Sequence, residues 1–367
     1  MLHQIKRSST FNFNKMKRFF RFCLLLCLPL LILVLIYVWI DPFKVIWHYD
    51  VYYQSDDVVG LNRGYVSAMH YCNHQKEYNY DSFIFGNSRS ISYNSKEWGK
   101  YIPEKSVCYH FDASVGSIGE LLGEIKYINK KGTLNNALII LDCSMLSITE
   151  NHGVLFAMPP ILKNGRGTLR FQIEYFNAFY SLGIENYDNF YSVGFLKTYI
   201  DYYYISKEYK DYMGNNIINS NMNLSYDSIT NELFWDKQEQ MIAEGNYYTE
   251  GRVKVFENAQ FPGKVSDIVL NKERIEMLRE IKKIFDGQST DYRIVISPIY
   301  DQVKINPTDL QCLNDIFGQN HVFDFSGVSK WSLDYHNYYE TSHYRPCVAN
   351  EIMKIIYLDT ISTRVSP

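Results

Sequence analysis

The stretch "DSFIFGNSRSIS", Asp81 to Ser92, sets a serine directly after an apolar run and a glycine. Ser82-Phe83-Ile84-Phe85 reads as a short buried strand. Gly86 reads as the residue that lets the backbone turn sharply. Ser88 would then project its hydroxyl from the carboxyl end of a strand, where open α/β sheets bind ligands. The pattern approaches a G-x-S-x-G nucleophile elbow without its second glycine; on its own, a serine in an ordinary turn is the plainer reading. A second stretch, "NYYETSHYRP" from Asn337 to Pro346, gives it chemical meaning. Glu340 precedes His343 by three residues there, a spacing at which a carboxylate reaches the imidazole of its own segment. It would fix one tautomer and stabilise the imidazolium formed when the ring takes a proton. With Ser88 losing that proton, the three make a Ser–His–acid arrangement suited to acyl chemistry.

Other residues carry weaker signals. Arg89 is expected to pin the elbow by pairing with a carboxylate such as Asp142, ahead of binding substrate. "HYCNH" places His70, Cys72 and His74 at alternate positions, which on a strand would put three metal ligands on one face; no fourth ligand is evident, and no metal is expected. His336 is a second imidazole near the C-terminus, with Asp334 two residues before it. No phosphate-binding glycine loop occurs.

The elements that must position these residues follow a repeating pattern. Strand-like runs occupy Ser82–Phe85, Ser106–Phe111, Ala137–Asp142, Tyr292–Ser297 and His321–Phe325. Between them Ile118, Leu121, Leu122, Ile125 and Ile128 recur at three and four, marking one face of a helix. Ile275, Leu278, Ile281 and Phe285 repeat the pattern after Asn271. A last helix begins at Pro346, a good first-turn residue, with Val348, Ile352, Ile355 and Ile356 along it. Short apolar strands alternating with helices predict an α/β fold, a mostly parallel five-stranded sheet covered on both faces as a three-layer α/β/α sandwich. Residues 150–262 break the rhythm. They are dense in Tyr, Asn and Phe, as in "NYDNFYSVGFLKTYIDYYYISKEYKDYM", and read as a largely helical insertion or cap. Packing on the sheet is the favoured account of these aromatics, ahead of a lid that stacks on sugar rings.

"FCLLLCLPLLILVLIYVWI", residues 22–40, is free of charge. As a helix it spans roughly 28 Å, close to the hydrocarbon thickness of a bilayer. Tyr37 and Trp39 fall where an interfacial aromatic belt forms, and Pro29 is tolerated in such helices. Residues 1–21 contain Lys6, Arg7, Lys15, Lys17, Arg18 and Arg21 and no acid. That bias places a basic tail in the cytoplasm and residues 41 onward outside a cytoplasmic (inner) membrane, in the periplasm or its equivalent. Residues 41–77 read as a membrane-proximal connector, and 78–149 with 263–358 as the α/β domain. The net charge of −3, with its positive share concentrated in the tail, argues against a nucleic-acid partner. Of seven cysteines, five lie beyond the apolar segment, an odd number, so a disulfide framework is not expected to hold the fold.

Taken together in this order, the motifs resemble the SGNH hydrolase, or GDSL-like, superfamily. The resemblance rests on Gly86-Asn87-Ser88-Arg89 after a strand and on Glu340-Thr341-Ser342-His343 before the last helix. "FDASVGSIGELL", Phe111–Leu122, resembles the second block, and "VISPIYD", Val295–Asp301, the strand and loop that precede the histidine segment in anchored members. It implies a flavodoxin-like sheet, Ser88 as nucleophile, His343 as general base and Glu340 as its orienter. Backbone N–H groups of Ser88 and Gly116 would stabilise the oxyanion. Asn87, Arg89, Asp142, Ser144, Ser297 and Tyr300 would stand near the site, and no cofactor is implied. Two positions depart from the pattern: Glu340 stands where the family usually has Asp, and Asp142-Cys143-Ser144 stands where many relatives carry an oxyanion-binding asparagine. Similar anchored proteins accompany membrane-bound O-acyltransferases that modify surface polysaccharides. The implied function is a serine esterase or O-acetyltransferase acting on an envelope polysaccharide or other acylated glycan. The alternative is a weakly active or inactive glycan-binding or assembly subunit.

Overall fold

A computed structural model describes residues 13–53, 61–180, 195–208, 210, 224–259 and 263–364. The chain divides into two compact units, 1–48 and 49–367.

In the first unit, residues Phe13–Ile40 form one helix with Pro29 inside it. From Lys15 to Ile40 it is long and apolar enough to cross a membrane, and Leu24, Leu25 and Leu26 are exposed along it. A helix suits such an apolar run because it pairs most of its backbone polar groups within itself. The chain turns at Asp41, whose carboxylate accepts the amides of Val45 at 2.9 Å, Ile46 at 3.1 Å and Trp47 at 3.0 Å. The Trp47 indole donates back to the Val38 carbonyl at 2.7 Å, closing the end of the helix. Of the basic tail, residues 1–12 lie outside the described residues.

The second unit is α/β. Its strands are β1 (Ser82–Asn87), β2 (Cys108–Ala113), β3 (Asn136–Leu141), β4 (Ser225–Asp227), β5 (Glu232–Phe234), β6 (Asp291–Ile296), β7 (Val322–Asp324), β8 (Tyr338–Glu340) and β9 (His343–Tyr344). Five of them form one sheet in the order β2-β1-β3-β6-β7, and every pair is parallel. The five runs read as strands from the sequence are these five, shifted by no more than two residues at either end. β4–β5 and β8–β9 are separate antiparallel hairpins.

Alternate residues of the sheet enter two different clusters. Phe83, Phe85, Phe111, Ile139, Leu141, Ile294 and Ile296 pack with residues of helices Ile118–Lys131, Lys272–Gln288 and Pro307–Phe317. Ile84, Leu138, Ile140 and Val295 pack with Trp98 and with Val348, Ile352 and Ile356 of helix Pro346–Arg364. Both clusters need apolar residues at consecutive positions, which is why these strands are continuous hydrophobic runs rather than alternating ones. The helices start where polar residues can satisfy their free amides. Ser117 accepts the Glu120 amide at 3.2 Å, and Asn271 accepts that of Arg274 at 3.0 Å.

Several readings need correction. Residues Arg63–Tyr78, read within a connector, form a helix that buries Ala68 and Tyr71, the latter in the core with Phe83 and Phe111. Its apolar face is built of tyrosine and alanine, so the sequence looked polar. That helix also carries "HYCNH", so His70, Cys72 and His74 do not share a strand face; His70 and His74 are one turn apart, with ring centroids separated by 4.4 Å. Among the described residues no three His, Cys, Asp or Glu side chains form a group able to hold a metal. In 150–262, the described residues include helices Thr168–Tyr180, Phe195–Ile200, Asp236–Ala243 and Glu250–Glu257 together with the β4–β5 hairpin. Of the tyrosine-rich quotation above, residues 186–194, 209 and 211–213 lie outside the described residues.

Candidate active site

Sheet order reverses between β1 and β3, since β2 lies on one side of β1 and β6 and β7 beyond β3. Ligands of open parallel sheets bind in the crevice outside the carboxyl ends of the strands at such a reversal. Ser88 directly follows β1 and Asp142 directly follows β3. Both therefore stand at that crevice.

Ser88 opens a short 3-10 turn, Ser88–Ser92, capped by Asn87, whose side chain accepts the Arg89 amide at 3.1 Å. Gly86 sits within β1 and serves close approach, not the sharp turn expected of it. A Cβ there would stand 2.7 Å from Ser90 Cβ and 3.0 Å from the Ile140 carbonyl oxygen. The 3-10 turn folds directly back over the strand, and only a residue without a side chain leaves room for it.

Across the crevice, Glu340 and His343 face each other on the β8–β9 hairpin. His343 Nε2 lies 2.7 Å from Ser88 Oγ, and its Nδ1 is hydrogen-bonded to Glu340 Oε1. The other carboxylate oxygen accepts the Ser342 amide at 2.8 Å. Burial works to raise the Glu340 carboxyl, but its bond and ion pair with His343, the Ser342 amide and the Arg89 charge outweigh it. The group therefore titrates below its ordinary range. The side chains of His343 and Glu340 keep 22% and 43% of their surface accessible, so the pair opens to solvent on one side. Two segments more than 250 residues apart thus bring a hydroxyl, an imidazole and a carboxylate into one line of hydrogen bonds.

Asp142 is buried beneath this line and fully engaged. It receives Asn87 Nδ2 at 2.6 Å, Arg89 Nη1 at 2.7 Å, the Met145 amide at 2.9 Å and the Ser144 hydroxyl. Burial favours its neutral form; the Arg89 charge and these donors outweigh that and hold its carboxyl below the ordinary value. Asp142 is thus an ionised anchor whose charge is absorbed by the elbow on either side of Ser88. Gly116 lies alongside, where a Cβ would meet Met145 Sδ at 3.1 Å and Asn87 Cβ at 3.3 Å. Ser297 and Tyr344 bond through their hydroxyls at 3.2 Å, and Ser92 donates to the Tyr344 carbonyl. The residue after His343 is thereby tied to the serine turn. Tyr300 goes to the aromatic core instead, edge-on to Phe256 at 5.0 Å and to Tyr338 at 5.1 Å. His336 pairs with Asp334 at 2.7 Å and is mostly exposed.

No family model, curated protein or solved structure matches this chain. The site is described by its own geometry.

That geometry includes residues the motifs did not indicate. His110 Nε2 is 2.8 Å from Ser90 Oγ, which donates to the Asn87 carbonyl at 2.8 Å. Behind His110, Glu232 of β5 accepts the Ser95 hydroxyl at 2.6 Å and the Thr230 hydroxyl at 2.8 Å. Burial and nearby Arg63 push the His110 imidazole down to about 4 against the pull of Asp112, so it is a neutral buried ring. Trp235 stands 5.6 Å from the His343 ring and 4.8 Å from that of Tyr339, centroid to centroid. Ser90 and His110 lie within or directly beside the quoted stretches, but Glu232 and Trp235 lie far from them in sequence; the one available signal for these two was Glu232-Leu233-Phe234-Trp235, a strand-like run inside the tyrosine-rich region.

Proposed function

We propose that this chain is a membrane-anchored, extracytoplasmic serine enzyme of the SGNH type, an acyl-ester hydrolase or O-acyltransferase working on a cell-envelope polysaccharide. The observation that carries the proposal is the line Ser88 Oγ, His343 Nε2, His343 Nδ1, Glu340 Oε1. In this reading the Ser88 oxygen attacks an ester carbonyl while His343 Nε2 takes its proton, and Glu340 stabilises the charged ring. The tetrahedral intermediate expels the alcohol, which leaves with the proton from His343. Water or a sugar hydroxyl then attacks the acyl-serine by the same steps in reverse. The amides of Ser88 and Gly116 are assigned to the oxyanion by resemblance. The fold is read as a three-layer α/β/α sandwich of flavodoxin-like order, with the apolar N-terminal helix as a single-pass anchor and 150–262 as a cap.

One observation favours a second reading, a glycan-binding or assembly subunit that works beside a membrane-bound O-acyltransferase. An ionised Asp142 occupies the loop where many SGNH relatives place an oxyanion-binding asparagine, and loss of one such donor costs about 10²–10³ in rate. Its neutralisation by Arg89, Asn87 and Ser144 weighs the other way, because it lowers the repulsion an oxyanion would meet. A fluorophosphonate probe separates the readings. The enzyme should label at Ser88, and labelling should vanish in both Ser88→Ala and His343→Ala, with hydrolysis of an acetyl ester falling by about 10⁴–10⁶-fold. Wild-type protein that neither labels nor turns over any acetylated glycan supports the subunit.

A further inference from the structure

The hairpin carrying Glu340 and His343 is too short to hold itself in place. β8 has three residues and β9 two, and their register is irregular between Tyr338 and Glu340; a lone two-stranded hairpin is marginal in water. Its position must come from what surrounds it. From the sheet side, Ser92 and Ser297 hold Tyr344. From the other side the hairpin meets helix Asp236–Ala243. Glu239 of that helix holds Arg345 by two bonds, Nε to Oε1 at 2.8 Å and Nη2 to Oε2 at 2.7 Å. The same carboxylate accepts the Tyr339 hydroxyl at 2.6 Å. Tyr339 directly precedes Glu340, and Arg345 is two residues beyond His343. One carboxylate therefore grips the hairpin at β8 and directly after β9, with the directional geometry of a paired Arg–carboxylate contact. Trp235, at the foot of the helix, sets its ring beside His343.

We propose that Glu239 is a positioning residue which, through Arg345 and Tyr339, fixes the β8–β9 hairpin so that the His343 imidazole reaches Ser88. This rests on the serine-enzyme reading for its kinetic consequence but not for its geometry. The segment also reaches the serine side, because Glu232, seven residues earlier, holds Ser95 beyond the Ser88 turn. A single run of chain between Thr230 and Glu239 therefore sets the spacing of two halves that the sequence keeps apart. Burial opposes ionisation of Glu239, but the bonds from Arg345 and Tyr339 prevail and keep it below its ordinary range, so the clamp is charged at neutral pH.

The test uses the full chain in detergent and two readouts: steady-state hydrolysis of a small acetyl ester, and the downfield proton resonance of the His343 Nδ1–H bonded to Glu340. Glu239→Ala should lower kcat by about tenfold to a hundredfold, since a misplacement of about 1 Å costs on the order of 10²-fold, with KM within about twofold. The resonance should weaken, and Glu239→Gln, which keeps the shape of the side chain, should recover part of both. Glu250→Gln, which removes an exposed partner of Lys254, should change neither. A Glu239→Ala protein with wild-type kcat and an intact resonance overturns the proposal. If the wild type itself shows no turnover, the enzyme reading fails and the resonance alone decides the clamp: loss in Glu239→Ala supports it, persistence overturns it. Should Glu239→Ala not fold, Tyr339→Phe, which deletes one bond, is read by the same criteria.

Discussion

His343 Nε2 stands 2.7 Å from Ser88 Oγ, although the two residues are 255 positions apart. Such a contact is within the reach a general base needs for the proton it removes. It is held by unlike supports: a 3-10 turn pressed onto β1 on the serine side, and a hairpin bonded from both flanks on the histidine side. The two supports meet where Ser92 of the turn donates to the Tyr344 carbonyl, whereas the Glu239 carboxylate holds only the hairpin.

Glu340→Gln keeps the size of the side chain and removes its charge. It is expected to lower kcat on an acetyl ester by about 10⁴-fold, the loss found when the acid of such an arrangement is neutralised or removed. Ser88 labelling should slow and not disappear. The Glu340 carboxyl titrates below its ordinary value of 4.5, so its contribution is present at every pH above 4.5 and is lost only as pH falls through the depressed value. The ratio of wild-type to variant kcat, followed by pH-dependent kinetics, should stay level above 4.5 and shrink below it. A ratio that collapses while pH is still well above 4.5 contradicts the assignment.

Asp142→Asn tests the anchor under the elbow. Removing one partner of a buried ion pair costs about 3–5 kcal/mol; Arg89 retains some access to solvent, so about 2–4 kcal/mol is expected here, read by chemical denaturation at neutral pH. The Asp142 carboxyl is depressed from an ordinary 3.8. Its stabilising effect is therefore complete above 3.8 and fades as pH falls through the lower folded value, where the denaturation midpoints of wild type and variant should converge. Convergence already at neutral pH would mean that Arg89 and Asn87 find other partners.

Much of this arrangement was legible in the sequence because it is local. β1, β3 and β6 carry consecutive apolar residues, helices Ile118–Lys131, Lys272–Gln288 and Pro346–Arg364 each show a repeating apolar face, and Glu340 reaches His343 within its own hairpin. What was hidden depends on residues distant in sequence. Gly86 was read as a turn residue, yet its role follows from Ser90 and the Ile140 carbonyl closing on it. Helix Arg63–Tyr78 escaped notice because Tyr71 does in the core what a leucine would usually do. Glu239, Trp235 and Glu232 sit in a region whose composition suggested surface packing, and no spacing rule connects them with residues 88 or 343. Arg89 was expected to pair with a carboxylate such as Asp142, and it does so because β1 and β3 are adjacent parallel strands whose ends lie side by side.

His110 offers a measurement that reports on the elbow without any substrate. Its ring is buried and bonded to Ser90, and its value of about 4 lies below an ordinary 6.5. Unfolded chains take up the proton as pH falls below 6.5 while the folded chain does not until about 4, so stability from this group is full above 6.5 and is lost on the way down. At about 1.4 kcal/mol per unit, that is about 3 kcal/mol across the interval. His70, also buried and lowered to about 4, contributes a parallel loss, so the wild type should weaken steeply between these limits. His110→Gln retains a donor for Ser90 and has no proton to gain. Its stability in urea should be lower at neutral pH and should fall by about half as much between pH 6.5 and 4. Equal slopes for the two proteins would show that His110 is already protonated in the fold, and that the turn presenting Ser88 rests on a charge and not on a neutral hydrogen bond.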